Sequence, residues 1–138
     1  MNRAELQQLA ADRLADAKAL LVTKRWAGAY YLAGYAVECA LKACIIRHLM
    51  ASDQFPEKKF SEQCWTHNLS QLFTAAGLKI EFDAAQVADP ELLANWGLVK
   101  DWSESTRYER KSPANAEQRY EAITDKKHGV LTWIKARW

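Results

Sequence analysis

Two groups of residues have the types and spacing to do chemistry. Glu38 and Lys42 stand four apart, so on a helix they share a face with Tyr31, Tyr35 and Ile45 and pair in the favourable Glu-before-Lys order. One reading makes this pair a device that fixes helix register or a dimer contact. The other makes it the lining of a pocket, where perturbed charges tend to gather. The second group is the run WSESTRYERK from Trp102 to Lys111, which joins aromatics to Arg107, Arg110 and Lys111 just before a predicted helix start. Free backbone N–H groups and a guanidinium fork suit a phosphate there. The alternative is a solvated loop anchored by Trp102 and Tyr108, with Glu109 interrupting the basic run. Arg107, Tyr108, Arg110, Lys111, Glu38 and Lys42 are therefore the candidate ligand-binding residues.

Other chemistries find little support. Cys64 and His67 have a two-residue gap that could chelate zinc, but a structural site needs four ligands and no second such pair exists. Neither a metal nor a cofactor is expected. There is no Gly-rich phosphate loop, no nucleophile elbow and no helical His pair with an intervening Glu. The familiar hydrolase classes are thereby disfavoured.

The elements that must position these residues read as helices. From about Arg3 to Arg25, Leu6, Ala10, Leu14, Ala17 and Leu21 recur at spacings of three and four, giving a one-sided helix with Asn2 and Glu5 as a capping box. From Trp26 to Leu49 apolar residues leave almost no polar face, so this helix must be surrounded by others. Gly34 allows a close neighbour, and Gly129 in the last helix is the expected facing partner. Residues 51–65 read as an exposed, mobile connection. A short helix follows with Thr66 as N-cap and Gly77 as its stop. Asp89-Pro90 starts another, which Gly97 should break or bend. Ser112-Pro113 starts the last, to about Lys135, with Tyr120, Ile123, Val130, Trp133 and Ile134 as its buried stripe. The expectation is an all-α, up-and-down bundle of about five helices, three long and two short, with residues 1–138 as one domain and no sheet.

Composition agrees with a globular domain: 49% of the 138 residues are apolar and 26% charged, and the net charge of +2 predicts no partner. The six tryptophans read as core and helix contacts. Three cysteines, two of them inside the apolar helix, argue against a secreted disulfide framework. The N-terminus reads as an amphipathic helix rather than a cleavable leader. Glu38 and Lys42 near the middle of the apolar run argue against a membrane span. A cytoplasmic protein is expected.

The stretch YYLAGYAVECALKACI (Tyr30 to Ile45) resembles the second helix of HEPN domains. THNLSQLFTAAGL (Thr66 to Leu78) resembles the short helix that follows it, and WSESTRY (Trp102 to Tyr108) the segment before the last long helix. The resemblance covers nearly the whole chain. It implies a small helical bundle that forms homodimers, binds RNA or a nucleotide, and in many members cleaves RNA as a toxin paired with a nucleotidyltransferase-like antitoxin. In active members an Arg is followed a few residues on by a His, and two subunits join two such motifs around the scissile phosphate. Arg107 matches the Arg, but Ser112, Pro113 and Ala114 stand where the His belongs. Losing a general acid/base typically removes about 10²- to 10⁴-fold in rate. The resemblance thus implies a non-catalytic binding or accessory protein, with a degenerate metal-independent ribonuclease and a purely structural interaction bundle as the alternatives.

Overall fold

The computed structural model describes residues 1–138. It is all-α, with no strand, but it has eight α-helices and one 3-10 helix rather than five helices. α1 spans Arg3–Val22, and its first turn is closed as expected: Asn2 Oδ1 accepts the Glu5 N–H at 2.9 Å while Glu5 Oε2 accepts the Asn2 N–H at 2.8 Å. Lys24, in the left-handed region, turns the chain into α2, Trp26–Ser52. α2 is the hub, packed against α1, α7 (Pro113–Thr124), α4 (Leu69–Ala75) and α8 (Val130–Lys135). By length and composition α2 could cross a bilayer, but 67% of its most apolar 18-residue window is buried inside the fold.

Three expectations about where helices stop need correction. Residues 51–65 are not one open connection, because α2 runs on to Ser52 and α3 forms over Lys58–Cys64. Gly97 does not break its helix; α6 runs Pro90–Val99 through it, and Gly97 faces open space. The last helix is two, because Asp125 Oδ1 accepts the N–H groups of Lys127 (3.0 Å) and His128 (2.7 Å). That Asx turn ends α7 and leaves Gly129 as N-cap of α8. α5 (Lys79–Ala88) has no counterpart among the expected helices: it buries only Phe82 and Gln86 and turns Ile80 and Val87 outward, so its apolar residues do not mark its buried face.

The remaining punctuation follows the sequence. Asp89 caps α6 through the N–H groups of Glu91 and Leu92, and Ser112 caps α7 in a capping box with Asn115. Gly77, at φ +70°, ends α4 in a Schellman arrangement, with Leu78 N–H on Phe73 O and Gly77 N–H on Thr74 O. The cap of α4, however, is Asn68 rather than Thr66.

Gly34 and Gly129 do not face each other. A Cβ on Gly34 would stand 2.1 Å from Trp102 Cδ1, whereas one on Gly129 would meet the backbone of its own turn at Asp125 and Ile123. The space at Gly34 is therefore taken by an indole, whose Nε1–H donates to Tyr31 O at 3.0 Å. Five of the six tryptophans are buried or half-buried, but Trp65 is 77% exposed.

Candidate functional site

Glu38 and Lys42 do pair, with Nζ 2.7 Å from Oε1. The carboxylate is buried, its residue only 1% exposed, while the ammonium is partly open to solvent. A third group completes the arrangement. His67 Nδ1 lies 3.0 and 3.1 Å from the two oxygens of Glu38, and its Nε2 lies 3.2 Å from Glu104 Oε2. Three elements supply this chain of contacts: the middle of α2, the turn before α4, and the 3-10 helix Glu104–Tyr108.

Trp102 sets the position of the 3-10 helix. Its indole fills the notch at Gly34 and lies against Tyr31 (ring centroids 5.7 Å apart) and Tyr35 (6.5 Å). Two residues later the 3-10 helix begins, with Thr106 Oγ1 donating to Ser103 O at 2.8 Å. Side chains three apart eclipse on such a helix, so Glu104 and Arg107 fall on one side of it. Arg107 is exposed, with its guanidinium 4.8 Å above the ring of Tyr108, itself 78% exposed. Contact with the hydroxyls of Tyr108 and then Tyr31 raises the Arg107 pKa further above its ordinary value.

Arg110 and Lys111 part company. Arg110 is exposed and makes no ion pair. Lys111 is half-buried, 2.6 Å from Glu109 Oε2 and 4.4 Å above the ring of Tyr30. The same ring carries Arg119, whose Nη2 donates to the Tyr30 hydroxyl and whose Cζ is 3.7 Å from the ring centroid. Arg119 is 2% exposed, its Nε and Nη1 have no partner, and burial lowers its pKa to about 10. Of the six candidates, Glu38 and Lys42 are thus linked through His67 and Glu104 to the 3-10 helix that carries Arg107 and Tyr108. Arg110 follows just beyond, and Lys111 turns inward to a separate cluster.

No family model matches the chain, and no curated protein and no solved structure is significantly similar to it.

Two cavities meet at this site. A polar cleft of about 620 Å³ is lined by Thr66, His67, Asn68, Asp101, Glu104 and Ser105 among others. An apolar groove of about 460 Å³ has Tyr35, Glu38 and Lys42 in its wall. The Glu38–His67 contact joins the two. No nucleophile stands ready in the polar cleft: the hydroxyls of Ser103 and Ser105 bond each other at 2.7 Å, and His67 Nε2 is occupied by Glu104. Burial pushes the Cys39 and Cys44 thiols up to about 11, far from thiolate reactivity at neutral pH. No cluster of three His, Cys, Asp or Glu side chains has the arrangement of a metal site.

Sequence reasoning weighed His67 only as a zinc ligand beside Cys64, and missed its contact with Glu38; it missed Arg119 altogether. His67 is 29 residues from Glu38, and no local spacing connects them. Arg119 sits on a helix with charged neighbours, Glu117 and Glu121, and only the fold turns it inward. The other two histidines are structural. His128 Nδ1 is 2.7 Å from Asp89 Oδ2 and its Nε2 3.1 Å from Glu91 Oε2, which ties the start of α6 to the turn before α8. His48 lies over Gly77, where any Cβ would meet its ring at 2.6 Å.

Proposed function

We propose that the chain is a HEPN-like helical module that binds single-stranded RNA or a nucleotide without cleaving it. The observation that carries this reading is the edge formed by Arg107, Tyr108 and Arg110: an exposed aromatic ring with one guanidinium 4.8 Å from its centroid and a second, unpaired one two residues on. A base stacks on such a ring whatever its identity, and the arginines meet the flanking phosphates. Lys111, held by Glu109, contributes little. In this reading α1, α2, α4, α6 and the α7–α8 pair would correspond to the five expected helices, and α3 and α5 lie outside that count. In this reading the protein is a cytoplasmic homodimer and an accessory to a toxin–antitoxin or defence system, with a nucleotidyltransferase-like antitoxin as its partner.

Fluorescence anisotropy with a labelled single-stranded RNA tests the binding. Saturable binding that Tyr108→Ala weakens by about 1–3 kcal/mol is expected. A ligand-independent melting temperature, with no binding to RNA or to nucleotides, would leave the purely structural bundle standing instead.

One observation favours a second reading, a metal-independent ribonuclease with a degenerate site. His67 is a half-exposed imidazole whose Nδ1 meets a buried carboxylate, and release of its Nε2 from Glu104 would free it for proton transfer. RNA cleavage in EDTA by highly purified protein, lost in both His67→Gln and Arg107→Ala, would establish it.

A further inference from the structure

α3 is an unusual helix for this fold, because it buries no residue and its principal neighbour is the short α4 rather than the hub α2. Between α3 on one side and α1 and α2 on the other runs the apolar groove of about 460 Å³. Its wall is mostly apolar, with Leu6, Leu9, Ile46, Leu49 and Phe60 prominent. Trp65, although 77% exposed, stands at its rim. That volume is in the range of pockets that hold one small organic molecule.

The groove is not uniformly apolar. Lys42 and Tyr35 enter it together beside Glu38, and both have donor capacity left over. The Lys42 ammonium has three N–H bonds, and its single protein acceptor is Glu38. The Tyr35 hydroxyl lies near the Cys39 sulfur, a weak acceptor at best, so its O–H stays available. Both oxygens of Glu38 are already engaged, by Lys42 and His67. The polar end therefore offers the spare donors of Lys42 and Tyr35 beside an acid that is already paired. A cationic head would stand against the Lys42 ammonium, whereas a carboxylate would accept from both Lys42 and Tyr35.

We propose that this groove is a binding site for a small amphipathic carboxylate, its alkyl or aryl body between α2 and α3 and its head on Lys42 Nζ and the Tyr35 hydroxyl. Entry of the apolar body gives α3 the packing partner it lacks, so binding should also order α3 against α2.

Titration calorimetry of the intact chain with decanoate, decanol and decyltrimethylammonium tests the assignment at fixed ionic strength. Saturable one-to-one binding of decanoate is expected, at least about tenfold tighter than the cation. Tyr35→Phe keeps the ring and should weaken decanoate about tenfold while leaving decanol unchanged. Cys64→Phe fills the groove from α3 and should abolish binding of all three; its circular dichroism shows whether it is folded, and Phe60→Trp serves if it is not. Absence of saturable decanoate binding overturns the proposal. So does equal affinity for the cation, a Tyr35→Phe protein that binds decanoate unchanged, or sedimentation showing a dimer that groove filling splits into monomers.

Discussion

Replacing Gly34 by Ala adds one methyl group at the contact that positions the candidate site. The new Cβ would stand 2.1 Å from Trp102 Cδ1 and 2.4 Å from its Cγ and Nε1. Carbon atoms rest at about 3.5–4.0 Å, so the indole must retreat by roughly 1.5 Å. That retreat breaks the 3.0 Å hydrogen bond from Trp102 Nε1 to Tyr31 O. Overpacking of this kind costs about 1–3 kcal/mol and the hydrogen bond about 1 kcal/mol, while Ala in place of Gly within a helix returns about 1 kcal/mol. The net loss is about 1–3 kcal/mol, or a fall in Tm of roughly 3–10 °C for a chain of this size. Thermal unfolding followed by circular dichroism measures it, and tryptophan emission should shift as the buried Trp102 loosens. The displacement also moves Glu104 and Arg107, so RNA binding should weaken in the folded variant. A Gly34→Ala protein that melts at or above the parent temperature would show that helix propensity alone operates there and would refute the notch.

Lys42→Met leaves the buried Glu38 with only His67, and should destabilise by about 3 kcal/mol. Adding Glu38→Gln should recover most of that loss in chemical denaturation, since a buried pair removed whole is nearly neutral. The bond to Asp89 raises the His128 pKa above 6.5, and the same contact lowers that of Asp89 below 3.8. The stabilising contribution of His128 is complete below its unfolded value and disappears as pH rises through the folded one; that of Asp89 is present above its unfolded value and disappears on acidification. The stability gap between the parent and His128→Gln should therefore be wide near about pH 5.5 and narrow near about pH 9, and a gap that widens with pH would contradict the assignment. Arg119→Met combined with Tyr30→Phe removes a buried guanidinium with two unpartnered nitrogens. Stability should be unchanged or higher by about 1 kcal/mol, and a large loss would point to a partner for Arg119 in an assembled form.

What could be read from the sequence was local, and what could not was distant. The caps at Asn2, Asp89 and Ser112 and the stop at Gly77 depend on groups within a few residues of one another, so their types announce them. The Glu38–Lys42 pair lies one helical turn apart and is equally legible. The link from Glu38 to His67 spans 29 residues and exists only because the turn before α4 docks on the middle of α2. Gly34 was recognised as a place of close approach, but its partner is the Trp102 side chain, 68 positions away, rather than another glycine. α5 escaped notice because its inner face includes Gln86, whose side-chain amide donates to Phe82 O, and its outer face includes Ile80 and Val87. The break at Asp125 was hidden because Asp-Lys-Lys-His is no obstacle to a helix until the Asp side chain caps the turn.

The salt dependence of single-stranded RNA binding tests the central claim most directly. If Arg107 and Arg110 each meet a phosphate, the logarithm of the affinity should fall with the logarithm of salt concentration at a slope of about −1.4, and at about −0.7 in Arg110→Ala. A slope near zero, or one that Arg110→Ala leaves unchanged, would contradict the assignment of the Arg107–Tyr108–Arg110 edge as the nucleic-acid surface.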